Sequence, residues 1–285
     1  MSSVSKTDPR RSRWIGIDFS GNHLQWRDTP AASAVWIAQI EQTRRGLRLV
    51  DLRRVQDLTG SEPPFARLAR FLREAEFAVA GIDAPLAPPQ GYFTGSRAEL
   101  LCAVRALPCG TRPFPRGAQL VGLLAPALTP RGRHVHRATE QVWRKRGVNV
   151  RSVLWNGPRG GAAFAAASLS LVADCGLAVW PWAAIEGGKV LAETFPAAQL
   201  RTWGLPYFGY NGPATEARRR RQAIVDGLAR AELAIPDALG TVLCASADAL
   251  DSVLCALAAR ALSTGALAEP PGPANRTEGW IVVHR

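Results

Sequence analysis

The chain has 285 residues, enough to bury a full core and close to the length at which single cores stop growing. Hydrophobic residues at 47% and charged residues at 20% are globular proportions, which exclude a disordered chain, and no apolar run is long enough to span a bilayer. The net charge of +12 rests almost wholly on arginine, since Lys6, Lys145 and Lys189 are the only lysines; guanidinium forks suit phosphate, although a genome rich in Ala, Arg, Gly and Pro codons gives the same bias. Five cysteines, odd in number and unpaired in spacing, point to a reducing cytoplasm. Residues 1–12 are polar and basic without the apolar stretch of a secretory signal, so they read as a disordered tail before one domain over 13–285.

In chain order, Trp14 to Phe19 alternates as a strand, ended by the turn cluster Ser20-Gly21-Asn22, with Asp18 near its end. Taken alone, Asp18 reads equally as a carboxylate capping its own turn. Ala34 to Ile40 and Leu47 to Val55 complete an expected three-stranded meander. Pro63 and Pro64 open a helix with Phe65, Leu68, Leu72 and Ala75 on one face and Arg67, Arg70 and Arg73 on the other, a solvated one. Phe77 to Ile82 is the apolar run of a strand covered on both faces, stopped at Asp83-Ala84-Pro85. A crossover through the helix lays it parallel to a meander strand. If that strand is the first, Asp18 and Asp83 stand side by side.

Residues 86–137 form a Pro/Gly-rich insert with a short helical piece at Ala98 to Ala106, the pattern of a lid or binding loop. Helices are expected around Ala138 to Arg146 and from Gly161 to Cys175, ended by Gly147 and Gly176. Lys189 to Phe195 reads as a strand interrupted by Glu193, a costly position unless the carboxylate pairs with a cation, binds metal or lies at a sheet edge. Thr215 to Leu233 is a basic helix with Arg218 to Arg221 in succession and Ile224, Leu228 and Ala231 facing inward. Ser246 caps the strongest helix, to Leu262, with Asp248 and Asp251 three apart near its start, where they also suit the helix dipole. Gly279 to Val283 reads as a closing strand.

The acids at these element ends invite one chemical reading. Crowded carboxylates raise each other's pKa and need a divalent cation to stay ionised. Two magnesium ions roughly 4 Å apart activate water and stabilise the leaving oxygen in phosphodiester cleavage. No serine–histidine or cysteine–histidine pair competes.

The stretches GIDFSG, AGIDAP, RATEQVWRKRG, VLAETFPAAQL, WGLPYFGYNG, DALDSVLCALAA and EGWIVV, in this order over nearly the whole chain, resemble the predicted RNase H-like nucleases grouped as domain-of-unknown-function family 429. The resemblance implies an α/β, RNase H-like fold: a mixed five-stranded sheet in order 3-2-1-4-5 flanked by helices. It implies Asp18, Asp83 and Asp251 as the acidic core, with Glu193 close by and Arg137 and Glu140 as pocket groups. Two positions depart from the family pattern: Glu140 stands where aspartate is more usual, and Asn211 where lysine is common.

The expected function is a nuclease or phosphodiesterase dependent on Mg2+ or Mn2+, with nucleic acid as partner and no membrane. Catalysis falls to Asp18, Asp83, Glu193 and Asp251; metal binding to Asp18, Asp83, Asp248 and Asp251; the phosphate backbone to Arg112, Arg133, Arg137 and Arg144, with Glu140. One alternative is an inactive RNase H-like module that binds nucleic acid or protein. Another is a phosphotransferase, because Asp18-Phe19-Ser20-Gly21 also resembles the phosphate-binding turn of the sugar kinase and actin superfamily, although the chain is short for that duplicated fold.

Overall fold

The computed structural model describes residues 12–30, 35–128, 131–230 and 232–285. Residues 1–11, nearly all of the expected tail, lie outside them, as do Ala34 of the second expected strand and Ala231 of the basic helix.

Three strands, β1 (Arg13–Asp18), β2 (Trp36–Thr43) and β3 (Gly46–Arg54), form the antiparallel meander. Helix α1 (Pro64–Glu74) then carries the chain back, and β4 (Val79–Ile82) joins parallel to β1, with Ile17 opposite Ile82. Helices α2 (Arg97–Arg105), α3 (Gly117–Leu124), α4 (Ala138–Lys145) and α5 (Ala162–Cys175) separate this core from β5 (Ala178–Val179) and β6 (Val190–Glu193). There follow α6 (Pro196–Thr202), α7 (Thr215–Arg230), β7 (Leu233–Ala234), α8 (Asp237–Ala245), α9 (Ala247–Thr264) and α10 (Asn275–Glu278).

The result is a mixed α/β sheet in the order β5-β6-β4-β1-β2-β3-β7, covered by helices on both faces. The five strands expected from the sequence are β3-β2-β1-β4-β6, side by side. The sheet nevertheless has seven strands rather than five, because the two-residue β5 and β7 extend its edges on β6 and β3. Two residues carry no alternation, so neither edge has a periodic signal. The expected closing strand is a correction as well: near the C-terminus Val282 and His284 make single bridges to Thr194 and Leu267.

Alternation along the strands sorts the core into two layers. Trp14, Val79, Val190 and Ala192 face α9, together with α6, α7 and α8; Ile15, Ile17, Ala80, Ile82 and Leu191 face α1 and α5. The long apolar α9 lies flat on the middle of the sheet because glycine clears its path. A Cβ at Gly16 would stand 1.9 Å from the Ser252 carbonyl oxygen, and one at Gly81 would stand 2.4 Å from that of Cys255. Ser246 caps α9 by accepting from the Ala249 N–H, and Gly265 ends it in the left-handed region.

The described part of the insert contains two helices. Its α2 and α3 pack Leu100, Val104, Leu120 and Leu124 against Ala165, Ala166 and Leu169 of α5 in a satellite core. Two arginine expectations change. Arg67 is buried, giving hydrogen bonds to the carbonyls of Glu62, Gln56 and Leu58, and Arg221 is buried, donating to those of Cys244, Tyr210 and Gly212. Among the described residues no single helix is long and apolar enough to cross a membrane, and every cysteine is a free thiol.

Candidate functional site

β1, β4 and β6 run parallel to one another and end at the same side of the sheet. β1 stops where Asn22 begins a short 3-10 helix at His23–Trp26, and β4 stops where Pro85 cannot continue the ladder. Both strands end in Gly-Ile-Asp. The glycine of each faces α9, so two residues further on Asp18 and Asp83 emerge on the α9 side. The Asp83 N–H donates to the Ile17 carbonyl at 3.0 Å, which ties the two ends together. The first turns of α9 present Asp248 and Asp251 to the same spot.

These four aspartates line an open cavity of about 1180 Å³. Burial, then Asp251, Asp248 and Asp83, push the Asp18 carboxyl well above its ordinary range, against the pull of Arg151. Burial likewise raises Asp83 to about 7; Arg151 opposes the rise and Glu193 adds to it. Asp251 rises through burial and the charge of Asp83, moderated by a hydrogen bond that the Tyr210 hydroxyl donates to its Oδ1 at 2.9 Å. Tyr210 is itself raised, first by burial and then by Asp251. Burial and the neighbouring carboxylates thus make these aspartates harder to ionise, and Arg151 works in the opposite sense on Asp18 and Asp83.

Glu193 takes the alternative of pairing with a cation, and it lines the same cavity from the other face of the sheet. It pairs with Ile82, which pairs with Ile17, so its side chain belongs to the α1 and α5 face rather than to that of Asp18. There it is the counter-ion of the fully buried Arg137, whose two terminal nitrogens both donate to the carboxylate, and it accepts from the Leu86 N–H at 3.0 Å. Arg137 Nε gives a third bond to Glu140 at 2.8 Å, and Glu140 Oε2 accepts from the Arg137 N–H as part of the cap of α4. Burial alone would lower Arg137 and raise Glu140, but the pairing reverses both shifts. Glu278 joins by accepting from Gln90 and Ala138 N–H groups.

Arg137 and Glu140, expected to hold substrate, line the cavity together with Glu193 and at the same time tie the insert, α4, β6 and the C-terminal segment together. Of the other expected substrate groups, Arg144 is exposed and lines the cavity; Arg112 and Arg133 do not line it.

Sequence reasoning passed over two residues, Arg151 and Tyr210. Arg151 is exposed, lies over the Phe164 ring at 4.6 Å and offsets the charge of both Asp18 and Asp83. No motif marks it. Tyr210 lies within the WGLPYFGYNG stretch, and a tyrosine between two turn-forming glycines was the available signal.

A model of the family described as protein of unknown function (DUF429) matches residues 7–276. The chain belongs to this family. Neither the curated proteins nor the solved structures contain a match to this DUF429 chain. The donors of the cluster are all carboxylate oxygens, the chemistry that hard cations such as Mg2+ and Mn2+ select. Among the described residues, no three His, Cys, Asp or Glu side chains already close around one point as they would around an ion.

Proposed function

We propose that this DUF429 protein is a phosphodiesterase of the RNase H-like type that acts on nucleic acid with Mg2+ or Mn2+. The carrying observation is the convergence of Asp18, Asp83 and Asp251, each with a raised pKa, in an open cavity rimmed by Arg144, Arg151 and Arg159. The strand order β3-β2-β1-β4-β6, with Asp18 on the central strand, is compatible with an RNase H-like sheet.

In this reading Asp18, Asp83 and Asp251 hold the cation, with Asp248 as the fourth carboxylate. When bound, such an ion acidifies water and stabilises the leaving oxygen of a phosphodiester. Tyr210 orients the Asp251 carboxylate through its hydroxyl. Arg151 sits beside the aspartates and supplies positive charge for the scissile phosphate. Arg137 and Glu193, paired with each other, hold one wall of the cavity in place.

The deciding experiment incubates purified protein with labelled RNA and DNA, single- and double-stranded, with Mg2+, Mn2+ or EDTA. Cleavage that needs the ion and falls at least about 100-fold in Asp18→Asn is expected, the scale on which removal of one electrostatic catalytic group acts. Equal activity in that variant sinks the assignment.

A further inference from the structure

Phe208 is the most solvent-exposed large hydrophobic residue among the described ones, at 64% of its possible surface, and it stands on the lining of the aspartate cavity. An aromatic ring is not left in water at such a place by poor anchoring, because the loop that carries it is held at several points. Arg220 of α7 donates to the Phe208 carbonyl at 2.9 Å and sets its guanidinium 5.4 Å from the ring centroid. The buried Arg221 donates to the carbonyls of Tyr210 and Gly212, and the Tyr210 hydroxyl is fixed on Asp251. Tyr207 packs edge-on to Phe208 at 5.1 Å. The loop thus drives one aromatic residue into the acidic cluster and turns another outward two positions earlier.

Two residues span at most about 7 Å of chain. Phe208 and the aspartates also line one cavity, so a flat group lying on the ring is held at the same cleft as the acids. On the cavity rim, Arg144, Arg151 and Arg159 are exposed and positive, as a phosphate backbone requires. Aromatic faces beside a basic track are the recognition pattern for unpaired strands, whose bases are free to stack; in a duplex those faces are covered by neighbouring bases.

From the exposed, anchored ring of Phe208 beside the basic rim, we infer that the substrate is an unpaired nucleic-acid strand, with one base stacked on Phe208 and its phosphate passing over the aspartates. This rests on the phosphodiesterase reading of the same cavity, but its test does not depend on turnover. Fluorescence anisotropy in EDTA measures binding of labelled single-stranded and duplex oligonucleotides to the full chain. The wild type is expected to prefer the single strand, Phe208→Ala to lose roughly 10-fold or more of that affinity, and Phe208→Trp to keep it. The ring is exposed, so the melting temperature of each variant should match the wild type.

Equal affinity for strand and duplex, or no binding at all, overturns the inference. So does an unchanged affinity in Phe208→Ala, or a self-association that this substitution removes while strand binding persists. Cleavage without an effect of Phe208 leaves the phosphodiesterase reading and removes the platform; strand binding that needs Phe208, without ion-dependent cleavage, does the reverse.

Discussion

Asp83 offers the sharpest test of the acidic cluster, because its raised pKa makes stability depend on pH in an unusual sense. In the unfolded chain the carboxyl titrates at its ordinary value of 3.8, and in the folded cavity at about 7. Between those values the folded state binds more protons than the unfolded one. The linkage slope is therefore negative: the contribution of Asp83 is neutral below pH 4, and stability is lost as pH rises towards 7 and beyond. At about 1.4 kcal/mol per unit the full shift corresponds to about 4 kcal/mol, and water in the open cavity screens it towards about 2 kcal/mol. For a domain of this size that is roughly 4–8 °C in Tm. Replacing Asp83 by Asn imitates the protonated form. The variant should melt with the wild type at about pH 3.5 and above it at about pH 8 in EDTA, and Mg2+ or Mn2+ should close the gap by stabilising the wild type alone. Parallel pH curves for the two proteins, measured by calorimetry, would refute the burial that raises Asp83 in this cavity.

Arg137→Met removes the cation from between Glu193 and Glu140 and leaves two buried carboxylates without it, so urea titration should register a loss of about 3–5 kcal/mol. Gly16→Ala forces a methyl group onto the main chain of α9; a loss of at least about 1–3 kcal/mol is expected, together with weakened Mn2+ binding by calorimetry. Tyr210→Phe deletes the bond that holds the Asp251 pKa down, so the acid limb of the pH–rate profile should move to higher pH, with a stability change of only about 1 kcal/mol.

The meander, the crossover to β4 and the positions of Asp18 and Asp83 were all legible, because alternation, a continuous apolar run and strand-ending turn residues each leave local traces. Asp251 was legible as a helix-start acid, but its approach to the strand ends depends on Gly16 and Gly81, whose importance shows only when α9 lies on them. The face of the sheet on which Glu193 lies was not legible, for a specific reason. A strand's residues alternate between faces, yet which face comes first is fixed by register with the neighbouring strand, and a single sequence does not contain that register. The arginines were legible by number and not by fate: Arg67, Arg137 and Arg221 are spent on internal carbonyls and carboxylates, while Arg151, with no motif around it, stands beside the aspartates.

The seating of α9 on two glycines also bears on how such a site can vary. Where a helix rests on side chains, a substitution in either partner is absorbed by rotamer changes and the gap drifts. Here main chain meets main chain, so the gap between helix and sheet is already at its lower limit and has no side chain to adjust it. The aspartates at the strand ends and on the helix consequently inherit a spacing set by the backbone. Freedom to adjust is then left to the loops around the cavity, among them the one that carries Phe208 and Tyr210, while the acidic centre stays at one gauge.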